Sequence, residues 1–183
     1  MFKPLVLTAA LALFAEPAAA EVVERHADGF TLRMSAPVSV GWGQAFAAVG
    51  DVGRWWNPDH TYSGDAANLS LPLETGACFC ERLDDGSDFE HGRVVAIDPR
   101  REVRLEAPLG PLSGRARSAA LTFGWSNTID GEAQVLTLTY VVEGEGLGAL
   151  AEPVDQVLTD QFTRWTERAP RLLLTGRGLS RTR

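Results

Sequence analysis

The chain has 183 residues with 24 acids against 17 cations, a net charge of −7, which is enough for one domain with a sizeable core and too little to expect two. That balance excludes nucleic acid as the main partner, because phosphate contacts need a basic face. Past Lys3 every cation is arginine; arginine stays protonated, so no side chain remains to form a Schiff base, and aldolase-type or pyridoxal-type chemistry is excluded.

The opening "MFKPLVLTAALALFAEPAAA", residues 1–20, sets Lys3 before an apolar run from Leu5 to Phe14 and closes on Ala18, Ala19 and Ala20. The run is too short to span a bilayer, and a basic start with an A-x-A end is the pattern of a secretory signal peptide. Cleavage after Ala20 is expected, giving a periplasmic or secreted protein with no transmembrane segment. Its removal takes away one cation, Lys3, and one acid, Glu16, so the net charge does not change.

In "GFTLRMS" Phe30, Leu32 and Met34 alternate with Thr31, Arg33 and Ser35, a half-buried strand that Pro37 ends. Ser39 is placed to cap a helix in which Trp42, Phe46 and Val49 recur at helical spacing, and after Gly50 a short second turn runs through Val52 and Trp55. The stretch "VGRWWNPDHTYSG" then puts Trp55 and Trp56 side by side in front of a polar loop holding Asp59, His60 and Tyr62. Two large adjacent aromatics cannot share one narrow core face, so one is exposed or something else covers it.

From Asn68 the period becomes two. "NLSL", "ACFCERL", "DFEHGRVVAID", "EVRLEA", "ARSAALTFGW" and "QVLTLTYVV" read as six strands, joined by the hairpin signals "DDGS", "DPRR" and "NTIDGEA". Connections this short force neighbours to run antiparallel. One connection, "PLGPLSG" at residues 108–114, is longer and oddly apolar.

A long helix follows. Pro153 suits its first turn and Asp155 complements its dipole there; Val154, Val157, Leu158, Gln161, Phe162, Trp165 and Ala169 fall on one face. Gln161 sits in the middle of that apolar face, where an amide needs a partner or costs about 1–3 kcal/mol. The domain therefore spans 21–170, and 171–183 reads as a basic, mobile, solvated tail.

Cys78 and Cys80 sit two apart on a strand. On a flat strand such residues lie roughly 6.6 Å apart with parallel side chains, too far for β-carbons that a disulfide holds within about 4.5 Å. Two buried free thiols are expected in preference to a bridge. A metal site is not expected, because His26, His60 and His91 stand at no ligand spacing relative to the cysteines.

Strand, two short helices, six strands and one long helix make an α+β domain, a curved antiparallel sheet of about seven strands wrapped around the C-terminal helix. On this order, on "SAPVSVGWGQAF", "GRWW", "HGRVVAIDPRREVRLE" and the terminal "DQFTRWTERA", the chain resembles the START-like superfamily. This is the helix-grip or SRPBCC group, which includes the birch-pollen allergen, polyketide cyclases and ATPase-activator homologues. The resemblance implies a cavity between sheet and helix, with the helical pair and its following loop over one mouth.

Alternation nominates Val103, Leu105, Ala107, Ala119, Leu121, Phe123, Leu136 and Leu138 either as cavity lining or as plain core. Trp125, Tyr140, Gln161 and Trp165 bring polar groups into the same region. With Trp55, Trp56, His60, Tyr62 and His91 they are the candidate ligand-binding residues. His91 shares one strand face with Arg93, Val95 and Ile97, while Glu90, Gly92, Val94 and Ala96 share the other, and alternation does not say which is inside. A Glu81–His91 pair across strands could do general acid–base work, or be structural.

No nucleophile elbow, zincin motif, dinucleotide fingerprint or phosphate loop is present, so no cofactor is expected and no catalytic residue is assigned. The expected function is binding of a small apolar or amphipathic molecule. The alternative is a polyketide-cyclase-like cavity enzyme promoting cyclisation or hydrolysis through groups such as His91 and Glu81. A chaperone co-factor role is disfavoured, because export separates the chain from a cytosolic partner.

Overall fold

The computed structural model describes residues 20–172. Apart from Ala20, the expected signal peptide lies outside the described residues, as does the tail beyond Leu172. The strands are β1 (Ala20–His26), β2 (Gly29–Val38), β3 (Leu69–Ser70), β4 (Cys78–Arg82), β5 (Asp88–Asp98), β6 (Glu102–Glu106), β7 (Ser118–Asn127) and β8 (Gln134–Glu143). Two α-helices accompany them, α1 (Trp42–Gly50) and α2 (Ala151–Arg168). The strands form one open, eight-stranded antiparallel sheet in the order β1-β2-β8-β7-β6-β5-β4-β3, and α2 packs across its β1–β2 side and against α1.

The strand that sequence patterning did not reveal is β1. It pairs with β2, Val22 opposite Leu32 and His26 opposite Gly29, but as an edge strand it carries exposed residues from Val23 to His26 and so shows no alternation. Two smaller expectations also change. The N-cap of α1 is Gly41, not Ser39, with the Gln44 side chain accepting from the Gly41 N–H at 3.2 Å; and "NLSL" contributes only Leu69 and Ser70 to the sheet. The second short helix is a single 3₁₀ turn at Val52–Arg54.

The inward faces of the central strands and α2 contribute to one buried core. Leu121, Leu136, Leu138, Tyr140 and Phe123 are buried beneath Leu158, Phe162 and Trp165, and the Trp165 ring stands edge-on to Phe123 at 5.2 Å. Of the two roles alternation allowed these strand residues, the structure assigns the core. The middle of the grip is filled with side chains.

Cys78 and Cys80 form a disulfide with a Cα–Cα distance of 5.3 Å, which corrects the expectation of free thiols. The flat-strand premise fails there: the two Cα atoms stand closer than the roughly 6.6 Å of a flat strand, inside the range a disulfide spans. Phe79 and Glu81 alternate with the cysteines and are buried, so the bridge lies on the opposite face of β4.

Candidate functional site

The β4–β5 register slips between Phe79 and Cys80: Phe79 pairs with Gly92 and Cys80 with Glu90, so His91 is the extra residue of a bulge in β5. A bulge shifts the phase of alternation, and both His91 and Gly92 turn inward, followed by Val94. Neither of the two faces that simple alternation offered is therefore the buried one along its whole length. Gly92 is required at this point: a Cβ there would stand 2.5 Å from the Ala107 Cβ and 2.7 Å from the Glu106 carbonyl oxygen.

The His91 ring lies 5.6 Å from Tyr62 in a stacked arrangement, with Phe79 at 5.1 Å and Phe89 at 5.0 Å. Its Nε2 is 2.7 Å from Glu81 Oε2. Glu81 is fully buried, and it also accepts the backbone N–H of Tyr62 at 3.1 Å and of Ser63 at 2.5 Å. Burial pushes the Glu81 carboxyl up, but hydrogen bonds from Ser63, Tyr62 and His91 outweigh it and hold the group below the usual glutamate range.

Two other buried polar side chains do the same job for neighbouring loops. Gln161 Oε1 accepts the Asn57 N–H at 2.8 Å, while Asn57 Nδ2 donates to Asp160 at 2.7 Å, which fastens the chain after the tryptophans to α2. The Tyr140 hydroxyl donates to the Ala107 carbonyl at 2.7 Å and accepts the Leu109 N–H at 3.2 Å, which fixes the start of the β6–β7 connection. Burial drives that hydroxyl well above the usual phenol range, so it stays protonated.

Together these loops enclose a cavity of about 480 Å³ at one end of the grip. Trp56, His60, Thr61 and Tyr62 form one wall, His91 a second, and Leu109, Gly110 and Pro111 of the β6–β7 connection a third. The fourth is the N-terminal half of α2 with the turn before it: Leu150, Pro153, Val154, Val157 and Leu158. The lining is mostly apolar, and His91 is the buried polar side chain in it.

Of the candidate residues, the structure brings Trp56, His60, Tyr62 and His91 together on this cavity. Trp55, Trp125, Tyr140, Gln161 and Trp165 are not in its lining. Trp55 is buried between Phe123 and Trp56, with its Nε1 donating to the Ala48 carbonyl at 2.7 Å. Trp56 turns the other way, onto Phe79 and the cavity, and its Nε1 donates to the His60 carbonyl at 3.1 Å. The adjacent tryptophans thus divide into one core residue and one wall residue. The indole Nε1 atoms of Trp125 and Trp165 are buried without a hydrogen-bond partner among the described residues. Val154 and Val157 were legible as part of the apolar helix face, and the signal for Leu109 and Pro111 was the apolar character of "PLGPLSG".

No protein-family model matches the chain, and no curated protein matches it in sequence. Its fold, by contrast, has many counterparts among solved structures. It is similar to protein MLL2253 from Mesorhizobium loti, with a TM-score of 0.56 and 12% identity over 79% of this chain and 99% of that one. Similar in the same way is protein NE0264 from Nitrosomonas europaea, with a TM-score of 0.56 and 12% identity over 77% of this chain and 94% of that one. The di-domain ARO/CYC StfQ from the steffimycin biosynthetic pathway aligns with a TM-score of 0.52 and 12% identity over 80% of this chain, which spans only 52% of the di-domain protein. The chain has a helix-grip fold, open rather than closed into a barrel. At these identities the likeness is one of fold.

Proposed function

We propose that the protein binds a small, largely apolar molecule in the cavity beneath Trp56, with His91 as its polar contact. The observation that carries this reading is the cavity itself: about 480 Å³ with mainly apolar walls and a single buried polar side chain, the form that small-molecule sites take. Native mass spectrometry of protein purified from its own host tests it. A retained organic ligand is expected, released on unfolding; protein that carries none, and whose Trp56 emission ignores a panel of naphthalene-sized ligands, refutes the reading.

The Glu81–His91 contact favours a second reading, a cyclase-like enzyme in which His91 moves a proton on a bound substrate. StfQ, described as ARO/CYC, has the same fold. Turnover of a diketide or triketide thioester that disappears in His91→Phe supports that reading over simple binding.

Export is part of the same proposal. It is supported by the pattern of residues 1–20 and by the Cys78–Cys80 bridge, since disulfides persist in oxidising compartments. Among the described residues no helix is long and apolar enough to cross a membrane. N-terminal sequencing is expected to return Glu21 first; a periplasm-free cytosolic product starting at Met1 overturns export.

A further inference from the structure

The geometry points to His91 Nδ1 as a one-sided hydrogen-bond acceptor, so that the cavity selects neutral, largely apolar molecules carrying a hydroxyl that donates to it. This rests on the cavity reading and makes it specific. Three observations combine. First, an ionised carboxylate can only accept, and Glu81 already takes the N–H groups of Tyr62 and Ser63; at 2.7 Å from it, His91 Nε2 must therefore be the donor. Second, an imidazole with one proton, placed on Nε2, leaves a lone pair on Nδ1. Third, the ring lines the cavity, and Nδ1 finds no protein partner among the described residues, so that lone pair is offered to whatever enters.

The surroundings fix this orientation. Tyr62 stacks on the ring while Phe79 and Phe89 flank it, which prevents the flip that would exchange the two nitrogens. Glu81 is a positioning residue, since it stands behind His91 and is not in the lining. The titratable side chains of the lining are His60, Tyr62 and His91; His60 and Tyr62 are exposed at the rim. A carboxylate ligand meets a lone pair with the buried Glu81 charge behind it, and is disfavoured. An ether of the same shape fits the apolar walls but leaves Nδ1 unpaired.

Isothermal titration with 2-naphthol, 2-methoxynaphthalene and 2-naphthoate at neutral pH tests the inference on the wild-type protein. 2-Naphthol is expected to bind roughly tenfold more tightly than the ether, the value of one satisfied buried acceptor, and the acid more weakly than either. In His91→Phe the alcohol and the ether should converge to within about twofold, because the Phe ring keeps the packing and removes the acceptor. A second readout needs no variant: the ¹⁵N spectrum of His91 should show the proton on Nε2, and Nδ1 should shift with 2-naphthol and not with the ether. Equal affinities for alcohol and ether, tightest binding of the acid, or a proton on Nδ1 overturns the inference and leaves the cavity reading standing. Binding of none of the three overturns both.

Discussion

Trp55 and Trp56 share sequence neighbours, residue type and near-complete burial, 4% and 6% exposed, yet replacing each with alanine should have different consequences. Trp55 packs against Phe123 at 6.1 Å and holds a 2.7 Å hydrogen bond to Ala48; its removal opens a sealed void in the core. Losses of this kind cost about 3–5 kcal/mol, a large part of the stability of a domain this size. Trp55→Ala should sit near the top of that range, lowering the melting temperature by about 10–15 °C. Removing Trp56 instead enlarges a cavity that already exists and that water can enter, so the cavity part of the penalty falls away and the cost should be about half. Binding should follow the reverse order. Trp56→Ala removes one wall of the site and should weaken 2-naphthol by tenfold or more, whereas Trp55→Ala, measured well below its melting temperature, should change affinity by less than about threefold. Urea unfolding and calorimetric titration of both variants provide the four numbers. Equal stability losses, or an unchanged affinity in Trp56→Ala, would refute the division of the pair into core and wall.

Glu81 supplies a pH prediction. Its carboxyl is held below the usual range in the folded protein, so its stabilising contribution is complete above the ordinary glutamate value near 4.5 and is lost as pH falls through the lower folded value. Urea midpoints between about pH 5 and 3 should therefore fall more steeply in wild type than in Glu81→Gln; parallel curves would show that the buried carboxylate contributes nothing to acid sensitivity. Tyr140→Phe should cost about 1–2 kcal/mol and raise amide exchange at Leu109 more than at the centre of β8, and unchanged protection at Leu109 would mean that the hydroxyl does not secure the β6–β7 connection. Unfolding without reductant should expose no free thiol and give a mass two units below that of the reduced protein; two titratable thiols would remove the Cys78–Cys80 bridge.

Much of the fold was legible because its signals are local. Period-two alternation in β2, β5, β7 and β8, short turns between them, and the apolar stripe of α2 each follow from side-chain geometry within a few residues, and their order alone implied a sheet gripping a helix. The edge strand β1 was hidden for the same reason: strand β1 shows little alternation, and only its backbone pairing with β2 defines it.

The candidate site depended on what is not local. Sequence could place a histidine on β5, but only the pairing with β4 creates the bulge that turns His91 and Gly92 inward together. It could count two cysteines on a strand, but not the shortened spacing that lets them join. It could note that Trp55 and Trp56 compete for space, and that "PLGPLSG" is too apolar for a loop. Which indole enters the core, and what those apolar loop residues face, was decided when Gln161, Tyr140 and Glu81 fastened three loops around one end of the grip. Those contacts join residues 104, 31 and 18 to 19 positions apart along the chain. A spacing rule reads neighbours within one element, whereas the position of a cavity is set by how separate elements fail to fill the space between them.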